Sequence, residues 1–415
     1  MIDQPLQNPS QGKEAMAEAI SQPISPRLRW LMAIGCGAAV ANIYYCQPLL
    51  GAFSRYFHVS EADAGNINIF TQVGYGLGML FILPLGDKIS RRNLILTLFL
   101  LAAVVLGITG LSLNLWMLDI CSVAVGLLSV SCHILIPYAA HLSPDAQRGK
   151  VIGSLLGGLL VGILVSRTLS GWIAQYLGWR WVYEVAALLM LAISVWLWIE
   201  LPAEQPVFQG SYGKLLASLW ELWRQQRVVR ESAWIGATLF GAVSAFWATM
   251  AFFLEAPPYH YPLSWIGMFG LVGAGGAMAA PLVGRVTDRK SPMLTIQVGI
   301  WLMTLGYVVL FFAGWHIALV VAGVILLDVG LQAAHVSNQA RNYALLPHAR
   351  TRLNTIYMTA FFGGGTLGSI LGNLAWNHLQ WPGVCMAGLG LTLLSWLAIL
   401  SPVAQKYKHL MPWKN

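Results

Sequence analysis

The chain has 415 residues, 57% of them hydrophobic and only 10% charged, with a formal net charge of +8. Soluble domains average about 25% charged residues, so this composition argues against an ordinary soluble fold and for a membrane. The Lys and Arg surplus fits contact with anionic lipid, and no basic groove or motif for nucleic acid occurs.

In chain order, residues 1–27 form a polar tail that includes Glu14 and Glu18 and lacks a signal-peptide pattern. A cytoplasmic tail is expected there, followed by an uncleaved anchor. Apolar runs of about 20 residues can each cross a bilayer as a helix. Spans 1 to 6 are read at 28–52, 63–85, 93–112, 115–140, 150–176 and 180–201. A polar linker at 202–231 places Leu215, Leu216, Leu219, Trp220 and Trp223 on one face, flanked by Lys214, Glu221 and Arg224. That pattern predicts a helix on the membrane surface. Spans 7 to 12 follow at 232–256, 263–284, 292–313, 315–342, 352–378 and 382–402, and a tail ends the chain at 403–415. Every Lys and Arg except Arg55, Arg180 and Arg167 falls on one face of this arrangement. Lys and Arg in short loops mark the cytoplasmic side, so an inner-membrane protein with both termini in the cytoplasm is expected. Cys36, Cys46, Cys121, Cys132 and Cys385 lie in or at apolar spans, without metal-ligand or disulfide spacing.

The two six-span bundles, 28–201 and 232–402, echo one another. Gly-Asp-Lys-Ile-Ser-Arg-Arg at 86–92 follows span 2, and Gly-Arg-Val-Thr-Asp-Arg-Lys at 284–290 follows span 8. Asp87 and Asp288 correspond at an offset of 201, and His133/His335 and Trp179/Trp381 at 202. Three matches at nearly one offset point to an internal duplication.

With these two loops, and with the stretches Gly-Ile-Leu-Val-Ser-Arg-Thr-Leu-Ser-Gly (162–171) and His-Val-Ser-Asn-Gln-Ala-Arg-Asn-Tyr-Ala-Leu (335–345), the chain resembles the major facilitator superfamily. Its nearest likeness there is to the bacterial drug and sugar (arabinose-type) efflux permeases. The resemblance implies an all-α membrane protein of twelve transmembrane helices in two pseudo-symmetric six-helix bundles, working by alternating access. It departs at Leu83 and Ser90, where the signature loop has glycines, and at Ser122, where many proton-coupled exporters have arginine. The Gly-Pro pair that many drug antiporters place in span 5 is also missing. The resemblance further implies that Asp87 sits at the N-terminus of span 11, where the helix dipole favours a carboxylate. Lys88, Arg91 and Arg92 would share that cytoplasmic latch, with Asp288 and Arg289 as its weaker copy. A plain positive retention signal would explain the cations but not the aspartates.

At 100° per residue, Asp328, Gln332, His335, Gln339 and Asn342 of span 10 fall within about 40° of one line. Span 4 shows a similar line through Asp119, Ser122, Gly126, Ser129 and His133. Such stripes face protein or water, never lipid; they form either the walls of an aqueous pathway or interhelical hydrogen bonds. Arg167 in span 5 stays protonated and needs a carboxylate or an anionic substrate. It is expected to pair with Asp328 in one state, a static ion pair being the alternative. His133 and His335 could relay protons or be hydrogen-bonded wall residues. At the outer end of span 1, Asn42 is expected in the pathway and Tyr44, Tyr45 and Gln47 precede Pro48, while Phe252, Phe253 and Glu255 of span 7 precede Pro257. The aromatics among them touch substrate or form interface belts.

Small residues three or four apart let helices approach closely. Gly153, Gly157 and Gly171 of span 5, Gly364, Gly368 and Gly372 of span 11, Gly74 and Gly78 of span 2, and Gly267, Gly270 and Gly273 of span 8 have that spacing. The resemblance makes these four helices the contact between the halves. No phosphate-binding loop, zinc cluster or nucleophile elbow occurs, so an enzyme is not expected, nor a cofactor or metal. The expected function is secondary transport, as proton-driven efflux of a small organic solute by a monomer in the lipid bilayer. The alternatives are proton-coupled uptake of a small solute, for which Arg167 would suit an anion, and a non-transporting membrane sensor.

Overall fold

A computed structural model describes residues 25–202, 211–273, 291–314, 316–345 and 349–400, and within them every side chain but those of Asp87, Asp145, Ala146, Arg350 and Thr351. The expectations for most of the two tails, for Asp288 and Arg289, and for the carboxylate of Asp87 therefore fall outside the described residues. Helices start where a polar cap precedes an apolar run. Ser25, Ser60, Ser90, Asn114 and Ser211 each accept a hydrogen bond from a backbone N–H of the first turn that follows.

Among the described residues, eight helices are long and apolar enough to cross a membrane. One of them, Arg352–Leu400, breaks at Gln380 (φ 53) just before Pro382 and supplies both span 11 and span 12. Span 1 is split into Pro26–Ala41 and Leu50–Phe57 by a turn and a 3-10 segment, Gln47–Leu49. Pro48 has no N–H with which to continue a helix. Span 2 is Glu61–Phe81, and span 8 is described over Leu263–Gly273. Span 7, Arg227–Glu255, is buried almost throughout, whereas Ile120, Leu188, Trp301 and Leu393 on outer helices are more than half exposed. Lipid would cover that apolar exterior.

The linker helix, Tyr212–Gln225, buries Leu219 against Val229, Leu353 and Ile356 of spans 7 and 11, with Leu216, Leu222 and Trp223 packed beside it. Its apolar face is narrower than expected, because Trp220 points away and stays 63% exposed.

Within each half, the same crossing recurs. Spans 1 and 5 meet where Ala33 and Gly37 face Gly158 and Gly162; spans 7 and 11 meet where Ala237 and Gly241 face Gly364 and Gly368. In both crossings a methyl group on either glycine of the later helix would overlap a backbone carbonyl of the earlier one. Gly372 continues the second crossing against Ala245. This corrects two expectations. Gly153 and Gly157 have open space where a side chain would be, because they lie one residue off the contacting line and one residue turns a helix by 100°. The span 11 glycines pack against span 7 of their own half, and Gly74 and Gly78 pack against span 4. Among these glycines, the contact between the halves is made by Gly171 against Gly267 and by Gly270 against Arg167.

The halves also share an aromatic anchor: Trp179 meets Phe53 edge-on at 5.2 Å, and Trp381 stacks on Phe253 at 3.7 Å. They are shut against each other at one end. There Asn68 and Gln72 donate to Ser369 Oγ (3.2 and 2.9 Å), Asn373 donates to the Ala62 carbonyl (2.8 Å), Trp376 donates to Glu61 (2.6 Å), and Arg55 pairs with Glu255.

Candidate functional site

Between the halves lies a cavity of about 650 Å³, lined by spans 1, 2, 4 and 5 from one side and 7, 8, 10 and 11 from the other. It is blind toward the shut end and runs toward the end that carries Arg91, Tyr343 and Asn354.

The break in span 1 shapes the blind end, because it turns Gln47 toward span 5. Arg167 Nε donates to Gln47 Oε1 at 2.8 Å. The guanidinium carbon lies 3.7 Å from the centre of the Trp247 ring and 4.7 Å from that of Tyr44. Arginine is well suited to such stacking, since its planar cation is attracted to ring faces and is weakly hydrated. Asp328 lines the same end. Span 8 provides the floor: a Cβ on Gly270 would sit 2.8 Å from Arg167 Cβ, and one on Gly273 would sit 2.6 Å from Asp328 Oδ2 and 3.5 Å from Trp247 Cζ2. Among the described residues, no ion pair joins Arg167 to Asp328 in this conformation. The cation is instead accommodated by one amide oxygen and two ring faces.

Midway along the cavity, each half contributes a histidine held by a tyrosine. His133 Nε2 is 2.9 Å from Tyr75 Oη, and His335 Nδ1 is 3.0 Å from Tyr357 Oη. Phe362 packs on Tyr75 (4.4 Å between ring centres), and Phe361 packs on His335 (4.8 Å) and stacks on Phe240 (4.0 Å). Gln332 and Gln339 line the wall with them, Gln339 Nε2 lying 3.9 Å from Met358 Sδ.

The stripe on span 10 thus faces the cavity from Asp328 through Gln339, but its last member does not. Asn342 is buried away from the cavity, and Tyr343 takes the lining position. On span 4 only His133 of the expected line reaches the cavity. The helix changes to 3-10 geometry at Ser129–Ser131, which has three residues per turn and shifts the register set by 3.6. Gly126 consequently faces Thr71 of span 2, Ser122 bonds its own helix, and Asp119 is half-buried away from the cavity. Asn42 is likewise turned from the cavity, donating to Ser129 Oγ at 3.3 Å.

At the open end Arg91 lines the cavity and Lys88 is exposed. Arg92 does not reach toward the other half. It donates to the carbonyls of Leu201 (2.8 Å) and Trp198 (2.7 Å), closing the C-terminal turn of span 6, where a cation is favoured.

Sequence reasoning missed Trp247, Tyr75 and Tyr357, and gave Gln47 no part in the site. An amide beside a proline inside an apolar run was a usable signal for Gln47. Trp247 offered none, being one of 18 tryptophans and set in a stretch without charge from Ala233 to Leu254.

Comparison with known proteins places this geometry in context. The sequence profile described as Major Facilitator Superfamily matches residues 29–340. The chain is 40% identical over 374 residues to "Uncharacterized transporter YgaY" of Escherichia coli O157:H7, covering 90% of this chain and 95% of that one. It is 29% identical over 402 residues to "Probable transporter SCO4007" of Streptomyces coelicolor, covering 95% and 92%. The fold matches that of a bacterial homolog to the human lysosomal transporter Spinster in an inward-facing and occupied conformation. The TM-score is 0.74 at 14% identity, over 94% of this chain and 98% of that one.

Proposed function

We propose a function from one premise: this chain belongs to the Major Facilitator Superfamily. It is a multi-pass membrane transporter and not an enzyme. Within that frame we read it as a secondary transporter of the inner membrane that exports a small organic solute against proton entry, by alternating access. The Arg91 end and both termini would then be cytoplasmic. One observation carries the reading: a cavity of about 650 Å³ between two half-molecules, open to one end and blind at the other, with Arg167 and Asp328 at the blind end. That volume is in the range of small-molecule sites, roughly 300 to 1,000 Å³.

The pair also supplies a rule for coupling. Ionised, Asp328 offers a counter-charge at the blind end; protonated, it offers none, so solute and proton occupy the site at different times. Opening at the other end requires the contacts at Glu61, Asn68, Gln72 and Glu255 to part. Asp87, Lys88 and Arg91 would then draw the Arg91 end shut.

Transport by the full chain in oriented vesicles tests this. Solute is expected to accumulate in inside-out vesicles with an acidic lumen, and a protonophore should abolish the accumulation. Full coupled transport by both Arg167→Lys and Asp328→Asn would refute the coupling rule. The second reading, proton-linked uptake of an anion, is favoured by the open Nη donors of Arg167; accumulation only in right-side-out vesicles would select it.

A further inference from the structure

We propose that the solute is a zwitterion with an apolar or aromatic body, of the chemical class of an amphipathic amino acid. The inference rests on the transport reading and deepens it. It starts from two opposite charges at one end of one cavity that are not joined to each other. Arg167 is 7% exposed, its Nε is taken by Gln47, and its faces are covered by Trp247 and Tyr44. Among the described residues its Nη donors have no acceptor, and Asp328 accepts no hydrogen bond there. A planar fork with two unspent N–H edges matches a carboxylate. A carboxylate without a donor matches an ammonium.

The charge balance then discriminates between solute classes. An unpaired charge is costly in a mostly apolar cavity. A neutral solute leaves both groups unmatched, a plain anion leaves Asp328, and a plain cation leaves Arg167. Only a solute with both signs meets both groups and leaves the net charge of the site unchanged. Trp247 neighbours both groups, because its ring contacts the guanidinium and its Cζ2 approaches Gly273 next to Asp328 Oδ2. Further along the cavity the wall carries the rings of Phe240, Phe361, Phe362 and Tyr75, together with Gln332, His133 and His335. The rings offer the surface that an apolar body needs.

Binding to the purified full-length protein, measured by calorimetry, tests this with four probes: phenylalanine, 3-phenylpropionate, phenethylamine and arabinose. Phenylalanine is expected to bind at least about tenfold more tightly than either singly charged analogue, because a site built for a polar group rejects a ligand that lacks it. Arg167→Lys should narrow the preference over phenethylamine, and Asp328→Asn the preference over 3-phenylpropionate. Equal binding of 3-phenylpropionate and phenylalanine to the unaltered protein would overturn the proposal, as would binding of none of the four. Arabinose binding alone would overturn it while leaving transport intact. The transport reading fails separately, if no pH gradient drives any solute.

Discussion

The two halves share a skeleton and differ in chemistry. Ala33, Gly37, Gly158 and Gly162 in one half make the same crossing as Ala237, Gly241, Gly364 and Gly368 in the other. Trp179 and Trp381 anchor equivalent aromatic contacts, and His133 and His335 each meet a tyrosine hydroxyl. The ionised groups at the blind end have no such duplication. Arg167 comes only from the first half and Asp328 only from the second; at the repeat offset of 202, the position of Asp328 is Gly126, which packs on span 2. Backbone-to-backbone packing tolerates almost no change and so keeps the repeat visible. A cavity wall is free to differ on its two sides, and that is how a near-symmetric frame holds an asymmetric site.

The largest expected effect comes from breaking the shared skeleton. Gly162→Leu and Gly368→Leu would each drive a side chain into a backbone carbonyl, at Gly37 and Gly241 respectively. Overpacking costs about 1 to 3 kcal/mol when side chains can yield, and here backbone must yield instead. Both variants should fail to give monodisperse protein on size exclusion. Gly157→Leu meets open space and should keep its melting temperature within about 2 °C. If its face meets the other half when the Arg91 end closes, the same variant will fold normally and yet lose transport, which would separate a skeletal glycine from a moving one. Equal instability of all three variants would remove the distinction.

Those glycines also show how far the sequence could be read. The span count, the two halves and the Asp328–Gln339 stripe were legible, because long apolar runs and a 3.6 period depend only on local helix geometry. What failed was wherever the helix departs from that period. The 3-10 turn at Ser129–Ser131 moved Asp119 and Gly126 off the cavity, and the break before Pro48 put Gln47, not Asn42, in the site. Glycine spacing alone could not tell Gly157 from Gly158, since which face meets a neighbour is a tertiary fact. Trp247 and the arrangement of Arg167 depend on three helices meeting, and no single stretch of sequence encodes that.

A smaller effect is expected where the halves differ. Gly273→Ala would place a methyl group 2.6 Å from Asp328 Oδ2, on the far end of a side chain that can swing, so the fold should persist. The displaced carboxylate would lose its placement for one charge-assisted hydrogen bond, a matter of about 1.5 to 3 kcal/mol. Solute affinity should fall by roughly tenfold or more, at 1.4 kcal/mol per factor of ten. Calorimetry on the variant checks this, with melting temperature as the control for folding. An unchanged affinity would mean that Asp328 does not contact the solute.

The smallest effect concerns the shut end, where Arg55 and Glu255 join the halves. Arg55 is 62% exposed, so the pair is screened by water and worth at most about 1 kcal/mol. Glu255→Gln keeps the shape over Gly51 and removes the charge. Its expected consequence is a shift of no more than about fivefold toward the state in which this end is open. Distances between spin labels placed across spans 1 and 7 at that end would report the two populations, and raised salt should mimic the variant in the unaltered protein. A shift of fiftyfold would mean that the ion pair itself is the lock. A fivefold shift, with larger ones on Asn68→Ala and Gln72→Ala, would place the lock in the buried contacts to Ser369.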